Sequence, residues 1–452
     1  MFFTNAKRRD NREGKGKSRW RGSLPWNIDG PRGGGVAATR GRPGSRHAST
    51  DEETAPGADI APDLGAVREG RGIDLKSRIG TATFAFRGYD VSNLGKTPEL
   101  LAHAAYGAVV RRFLDEASAI AADALRRPFD LAARVEAREP STPDGFAADV
   151  ATIVAMELCQ LRILEEFFGV AVSEARQSLG YSIGEMASMV VGGVFTMEQL
   201  LPVPLGCCDD AAELAVDATL GILFSRGPAL VLHDVQELCT AVSSEGRGLV
   251  GASAYLSPNT VLVFGQGDTL DRLEPMIPRF LPEKVMLRRK PTKLPPLHTP
   301  LVWQRNIPNR AAVALYKITG GALQPPRPRV LSCVTGAASY DAYNARDTLI
   351  RWVDHPQLLW DAIYETLVSG SDLVIHAGPA PNLIPATFER ISNNVSKQLG
   401  NKYLQMLGRG VGSSLHRHAW LSRLLPSKAA LFRAPHVEHV ILEDWLLEQD
   451  VA

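Results

Sequence analysis

The sequence has few cysteines, few aromatic residues and almost no net charge, and each shortage argues against a class of protein. The five cysteines are an odd number, contain no CxxC pair and lie at Cys159, Cys207, Cys208, Cys239 and Cys333. This pattern suits a reducing compartment and argues against both a disulfide framework and a structural zinc site. The formal net charge of the 452 residues is +1, which offers no general attraction for nucleic acid.

Long hydrophobic runs are also missing. No stretch of about 18 consecutive apolar residues occurs, so we expect no membrane span. Met1-Phe2-Phe3 leads directly into polar and charged residues, which is not typical of a secretory signal. The expected location is the cytoplasm.

The histidines do not indicate a metal centre. His416 and His418 form one pair, and His436 and His439 form another. Neither pair has an acidic or thiol ligand at matching spacing. We therefore expect neither a metal nor a redox cofactor.

The first 80 residues differ in composition from the rest of the chain. They are rich in Arg, Lys and Gly, and their apolar residues are too scattered to offset the entropy of ordering. Residues 1–80 are predicted to be a disordered basic tail. No aromatic–basic module accompanies the tail, so it does not predict a nucleic-acid partner.

The most informative motif is a serine between two glycines at the start of an apolar run. Gly180-Tyr181-Ser182-Ile183-Gly184-Glu185 precedes the run Met186 to Val194. This pattern is typical of a nucleophile elbow, a sharp strand-to-helix turn that exposes the serine oxygen. The N–H of Ile183 can then stabilise an oxyanion on an attacked carbonyl. A helix over Ala151 to Phe168 and a strand within Val170 to Leu179 supply the context, although a loop of small residues is the alternative.

Several separated segments resemble the malonyl-CoA:acyl-carrier-protein acyltransferase family, and they occur in the family's order. The resemblance spans Thr81 to about Asn401. It rests on Phe84-Ala85-Phe86-Arg87-Gly88-Tyr89, the elbow ending in Gly184-Glu185, Arg226-Gly227, Ser257-Pro258-Asn259, Leu297-His298-Thr299-Pro300, Ser332-Cys333-Val334-Thr335-Gly336 and Gly378-Pro379.

The resemblance implies a Ser–His pair, with His298 as the base that takes the proton of Ser182. In this family backbone carbonyl groups orient the histidine, and a backbone N–H, here that of Tyr89, is the second oxyanion donor. Tyr181, Arg87 and Tyr89 depart from the family's usual residues. The usual glutamine is missing from Arg351 to Pro356, so we assign no side-chain role there.

Arg226 is the candidate for binding the free carboxylate of a malonyl group, because a guanidinium can bind a carboxylate through two hydrogen bonds. It follows Ile222-Leu223-Phe224-Ser225, which we interpret as an apolar helix turn. A structural salt bridge is the alternative role. The segment Pro202 to Asp210 makes the spacing from elbow to arginine longer than is usual in the family.

The order of predicted elements favours an α/β fold. We expect an α/β-hydrolase-like acyltransferase large subdomain, residues 81–239 and 290–445, with an inserted ferredoxin-like small subdomain, residues 240–289. Predicted strands of the large subdomain include Ala82 to Phe86, Val330 to Val334 and Asp372 to His376. The small subdomain would form one wall of the active-site cleft.

The resemblance implies ping-pong transfer of malonyl from malonyl-CoA to the phosphopantetheine thiol of an acyl carrier protein, for fatty acid or polyketide synthesis. The intermediate is an ester on Ser182. Two alternatives remain open: a serine thioesterase or esterase, and a catalytically weak scaffold that binds carrier proteins.

Overall fold

The computed structural model describes residues 72–321, 323–406 and 428–451, with the main chain alone for residues 397–406. Its strands are β1 (Ala82–Phe86), β2 (Gln177–Gly180), β3 (Ala218–Ser225), β4 (Val250–Ser257), β5 (Thr260–Gln266), β6 (Val285–Lys290), β7 (Arg329–Leu331), β8 (Leu373–Ala377) and β9 (Glu438–Ile441). These strands form two separate sheets. The first has the order β7-β2-β1-β8-β9 and is parallel throughout, and the second has the order β4-β5-β3-β6 and is antiparallel.

The described α-helices are, in chain order, α1 (Leu75–Arg78), α2 (Thr97–Ala102), α3 (Gly107–Leu125), α4 (Leu131–Glu136), α5 (Phe146–Phe168), α6 (Gly184–Val191), α7 (Met197–Leu200), α8 (Pro202–Asp217), α9 (Leu232–Ser243), α10 (Thr269–Phe280), α11 (Ile307–Lys317), α12 (Ala345–Trp352), α13 (Leu359–Val368), α14 (Leu383–Met406) and α15 (Leu442–Glu448). Most of α5 is buried, since its sequence is apolar on nearly every face. It ends at Gly169, whose φ of 60° is readily adopted by glycine, and the Gly169 N–H closes the last turn onto Glu165 and Leu164 carbonyls. The sequence therefore predicts this helix well, apart from its first turn.

The first sheet is held in register by β1 at its centre. Phe86 of β1 lies opposite Gly180 of β2 on one side and Ala377 of β8 on the other. All five residues of β1 are buried, as expected of a parallel strand covered on both faces. The predicted bounds of β1 are confirmed. The neighbouring strand β2 is shorter than predicted, because residues 172–174 form a 3₁₀ turn before it.

The second sheet belongs to a unit with the chain order β3-α9-β4-β5-α10-β6. This βαββαβ order is ferredoxin-like. Leu223, Val263, Leu238 and Leu273 contribute to its own apolar core. The sequence predicts that this unit starts at residue 240, whereas in the structure it starts at Ala218 and includes β3 and most of α9, which the prediction assigns to the large subdomain. The residues 222–225 are in strand β3, not in a helix turn, and the run is too short for periodicity to tell the two apart.

Part of the predicted tail is ordered. Residues 1–71 lie outside the described part of the chain, but residues 75–81 form α1 and a 3₁₀ turn. Leu75 and Ile79 are buried there, and the Asp74 carboxylate accepts the N–H groups of Lys76 and Ser77. These two apolar residues anchor the segment, so the boundary at residue 80 is too late.

Within the described ranges, none of the helices is both long enough and apolar enough to cross a bilayer.

The parallel sheet brings four of the quoted motifs to one edge. β1 leads into Arg87, β2 into Ser182, β7 into Ser332 and β8 into Gly378. The carboxyl ends of parallel strands share an edge, and in open α/β sheets this edge is where ligands bind. The topology thus assembles a candidate site from segments far apart in sequence.

Candidate active site

Ser182 stands in a strained turn between β2 and α6. Its φ is 54°, in the left-handed region that costs a non-glycine residue roughly 1–2 kcal/mol. A Cβ on Gly180 would lie 2.1 Å from the carbonyl carbon of Gly184, and one on Gly184 would lie 2.5 Å from the carbonyl oxygens of Phe86 and Arg87. The two glycines are therefore required by backbone packing, and the geometry is that of a nucleophile elbow.

His298 lies next to this serine. The Oγ of Ser182 is 2.7 Å from Nε2 of His298, although 116 residues separate them in sequence. His298 also has a left-handed backbone, with φ of 64°. Its N–H donates to the carbonyl of Val353 at 2.8 Å. The structure thus brings together the two side chains that the sequence analysis pairs.

A main-chain carbonyl orients the imidazole. Nδ1 of His298 lies 2.5 Å from the carbonyl oxygen of Trp352, so Nδ1 carries the proton and Nε2 is free to accept one from Ser182. Burial lowers the pKa of His298 from 6.5 to about 4, because the charged imidazolium loses its hydration. The imidazole is therefore neutral near pH 7, as a general base must be.

Two side chains that the sequence analysis did not assign hold the peptide groups of Ser182. The indole Nε1 of Trp352 donates to the carbonyl of Ser182 at 2.8 Å. The N–H of Ser182 donates to Oε1 of Gln357 at 3.2 Å. Both residues are buried. The resemblance places the segment 351–356 beside His298, and the structure agrees. No local sequence pattern reveals that the side chain of Trp352 also contacts Ser182.

Gln357 is itself fixed by the second sheet. Its N–H donates to the carbonyl of Ser253, and its carbonyl accepts the N–H of Tyr255, each at 2.8 Å. This pairing forms a short parallel bridge with Ala254 of β4. The amide that touches Ser182 is thus held by the ferredoxin-like unit.

The loop after β1 is held by a buried arginine. Arg87 donates to the carbonyls of Gly88 at 2.7 Å and Pro379 at 2.5 Å, and to Oδ1 of Asn93 at 2.8 Å. Burial lowers the pKa of its guanidinium, yet these oxygens satisfy the donors. The departure at Arg87 therefore connects two quoted motifs, the loop after β1 and the Gly378-Pro379 loop.

Glu185 connects the elbow to the segment after β7. Its carboxylate accepts from the hydroxyls of Ser332 at 2.5 Å and Tyr340 at 2.7 Å, and from the N–H of Cys333 at 3.2 Å. Burial raises the pKa of Glu185 to about 7. Two further motifs quoted in the sequence analysis are thus in contact, and their role is to brace the first helix of the elbow.

A narrow cavity of about 20 Å³ lies beside Ser182, and we call it the acyl cavity. It is lined by Tyr89, Phe146, Val150, Ser182, Ile183, Pro204, Cys207, Cys208, Ala211, Leu297 and Trp352. The predicted oxyanion residues, Ile183 and Tyr89, therefore border the same space as the serine. Of the described residues that line the acyl cavity, none carries a charged side chain.

Arg226 lies elsewhere. It follows the last residue of β3, its N–H donates to the carbonyl of Lys284 at 3.0 Å, and its side chain is exposed. It is not among the residues that line the acyl cavity. The apolar run before it is predicted as a helix turn, but in the structure it is strand β3 of the second sheet. Binding of an acyl carboxylate by Arg226 is therefore not supported by the lining of the acyl cavity.

The histidines outside the site do not form a metal centre in the described part of the chain. His439 lies beside the buried His376, and Nδ1 of His439 is 3.0 Å from Nε2 of His376. His416 and His418 lie outside the described residues.

No protein-family model and no curated protein matches the sequence. Solved structures do resemble it. FabD from Acinetobacter baumannii is 20% identical with a TM-score of 0.54, over 68% of this chain and 89% of that one. An acyl carrier protein S-malonyltransferase from Vibrio cholerae is 20% identical with a TM-score of 0.52, over 68% and 92%. A malonyl CoA-acyl carrier protein transacylase from Clostridium perfringens is 18% identical with a TM-score of 0.53, over 73% and 99%.

The chain therefore has the α/β fold of the malonyl-CoA:acyl carrier protein transacylases. This confirms the fold that the resemblance predicts. At these identities the likeness concerns the fold, while the activity depends on the chemistry of the site.

Proposed function

We propose that this protein transfers an acyl group from a coenzyme A thioester to the phosphopantetheine thiol of an acyl carrier protein, through an ester on Ser182. The observation that carries the proposal is the 2.7 Å contact between Ser182 Oγ and His298 Nε2 in an elbow geometry. The carrier protein would belong to fatty acid or polyketide synthesis, which is the setting that the resemblance implies.

The first half-reaction forms the acyl-enzyme. His298 Nε2 takes the proton of the Ser182 hydroxyl as Oγ bonds to the thioester carbon. The tetrahedral intermediate then collapses, the carbon–sulfur bond breaks, and the imidazolium gives its proton to the departing coenzyme A thiolate. In the second half-reaction the carrier thiol follows the same steps in reverse, which releases Ser182.

The negative charge on the tetrahedral oxygen needs donors. The main-chain N–H groups of Ile183 and Tyr89 are the proposed pair, since both residues border the acyl cavity with Ser182. The buried contacts of Arg87 support this assignment, because they fix the loop that carries Tyr89. The Nδ1–H bond of His298 to the Trp352 carbonyl supports its role as base, since the imidazolium would be stabilised without a carboxylate partner.

The proposal is tested by intact-mass spectrometry of the wild-type protein and a Ser182→Ala variant, each mixed separately with acetyl-CoA, propionyl-CoA or malonyl-CoA. Ser188→Ala is the matched control, because Ser188 is a buried serine of α6 whose hydroxyl makes no hydrogen bond to any described residue. We expect an acyl adduct on the wild type and the control but not on Ser182→Ala. Addition of a holo carrier protein should move the adduct to the carrier.

Other outcomes identify the alternatives. An adduct that is lost to water equally fast with and without carrier would indicate a thioesterase. No adduct with any donor would contradict acyl transfer and favour a scaffold that binds carrier proteins.

A further inference from the structure

We infer that the acyl cavity selects an uncharged acyl group and discriminates against malonyl and other acyl groups that end in a carboxylate. This inference rests on the proposed acyl transfer and adds its substrate class. It differs from the selectivity that the sequence resemblance implies.

The lining of the cavity is the first observation. Phe146, Val150, Pro204 and Ala211 present hydrocarbon, and Leu297 completes the apolar surface. An ionised carboxylate moved from water into such a space loses its hydration and gains no countercharge. An acetyl or propionyl group has no such cost, and its methyl group would contact the lining once the side chains move apart to admit it.

The two cysteines of α8 do not compensate for the missing cation. The Sγ–H of Cys207 donates to the carbonyl of Val203, and that of Cys208 donates to the carbonyl of Pro204. Their protons are thus engaged within the helix. Burial raises the pKa of Cys207 to about 11 and that of Cys208 well above its ordinary value, so both thiols are neutral.

The charged residues next along α8 lie on its other side. Asp209 binds Arg127 at 2.8 Å, and Asp210 binds Arg310. These ion pairs are partly or fully exposed, and their arginines do not line the acyl cavity. The guanidinium of Arg87 is buried in the loop after β1, and its donors are bound to the oxygens of Gly88, Pro379 and Asn93. Neither source supplies a cation for a carboxylate.

The test compares the initial rates at which Ser182 is acylated by propionyl-CoA and by malonyl-CoA, measured by quenched-flow mass spectrometry on the full chain. We expect propionyl to be faster by on the order of 100-fold, as an unpaired buried charge implies. The inference is overturned if malonyl acylates Ser182 as fast as propionyl.

Two further variants test the cause. Cys207→Arg places a guanidinium at the cavity, and Cys207→Met is the matched control with a long uncharged side chain. We expect the malonyl-to-propionyl ratio to rise at least about tenfold in Cys207→Arg relative to Cys207→Met. If neither variant folds, the acylation rates of the wild-type protein with propionyl-CoA and malonyl-CoA still test the inference. A ratio that rises equally in both folded variants would overturn the electrostatic explanation.

Arg226→Ala separates the two accounts of selectivity. We expect it to leave the donor ratio unchanged, because Arg226 is exposed outside the cavity. A selective tenfold loss of malonyl transfer in this variant would indicate that Arg226 binds the malonyl carboxylate, and it would overturn the inference.

The failures of the two proposals are distinguishable. No adduct from any donor contradicts both. If propionyl-CoA acylates Ser182 quickly and the ester is only hydrolysed, transfer to a carrier is contradicted but selection of an uncharged acyl group is supported. If malonyl is transferred quickly to the carrier, only the proposed function is supported.

Discussion

Trp352→Phe should weaken the elbow while it leaves the general base intact. The indole of Trp352 donates to the carbonyl of Ser182 at 2.8 Å. The hydrogen bond to His298 is made by the main-chain carbonyl of Trp352, and the indole also packs edge-on against the imidazole, with ring centroids 5.1 Å apart, a contact that a phenyl ring can keep. Phenylalanine keeps the main-chain carbonyl and removes the donor. The variant therefore separates the support of the nucleophile from the orientation of the histidine.

The magnitude follows from the burial of the bond. Trp352 is 2% exposed. The carbonyl of Ser182 keeps the N–H of Glu185 at 3.0 Å, so the variant loses one of two hydrogen bonds to this oxygen, which is worth about 0.5–1.5 kcal/mol. We therefore expect a loss of about 1 kcal/mol in the free energy of unfolding. If the same free energy is lost from the transition state, acylation slows about fivefold.

Urea unfolding and quenched-flow acylation measure the two effects. The matched control is Trp303→Phe, since Trp303 donates to Asp354 at 2.9 Å but is 51% exposed; its unfolding free energy should change by less than about 0.5 kcal/mol. The apparent pKa of the acylation rate should be the same in Trp352→Phe as in the wild type. Equal effects of the two substitutions, or a shifted pKa in Trp352→Phe, would refute the reasoning.

Three further predictions concern the turn, the base and the loop after β1. Gly184→Ala should abolish acylation and lower the melting temperature, because its Cβ would meet main-chain oxygens at 2.5 Å. Gly206→Ala should instead stabilise by about 1 kcal/mol, because a Cβ on Gly206 of helix α8 would meet no described atom within 4 Å outside the nearby helix backbone; similar melting curves for the two variants would contradict this. Acylation should persist as the pH falls from 7 to 5 and decline near 4, because burial lowers the pKa of His298 to about 4; an apparent pKa of the rate near the ordinary 6.5 would contradict the assignment. The same shift means that the unfolded state binds more protons between pH 6.5 and 4, so the contribution of His298 to stability should fall as the pH falls through that window in urea titrations. Arg87→Met should lower the free energy of unfolding by about 3 kcal/mol, since the buried carbonyls of Gly88 and Pro379 lose their donor while Asn93 keeps the N–H of Asp90; an unchanged urea midpoint would contradict that role.

The parts of the fold that the sequence predicts well are those with a strong local pattern. Strand β1 has five buried residues in succession, and helix α5 is a long apolar segment with a glycine stop, so periodicity and turn chemistry suffice. The segment 218–225 has no such pattern. Gly221 interrupts it, and a Cβ there would meet the side chains of Val263 and Leu287 at 2.9 and 3.0 Å. These two residues belong to β5 and β6, so the need for glycine at 221 is apparent only when the neighbouring strands are known.

The site was predictable to the extent that the resemblance aligns motifs. Ser182 and His298 carry recognisable local signals. The roles of Trp352 and Gln357 depend on contacts across 170 and 175 residues, which no local spacing encodes. Arg226 shows the opposite case, in which a dipeptide of the right type lies on the wrong element because the intervening segment folds as a strand of another sheet.

The bridge between Gln357 and β4 limits how this protein can be rebuilt by exchanging modules. Its side chain holds the Ser182 N–H, and its main chain bonds to Ser253 and Tyr255 of the second sheet. A chimera that receives the ferredoxin-like unit of another protein would bring a foreign strand to this bridge. Such a graft would need to retain residues 250–257 together with 352–358, so the natural cutting points for recombination differ from the boundaries between the sheets.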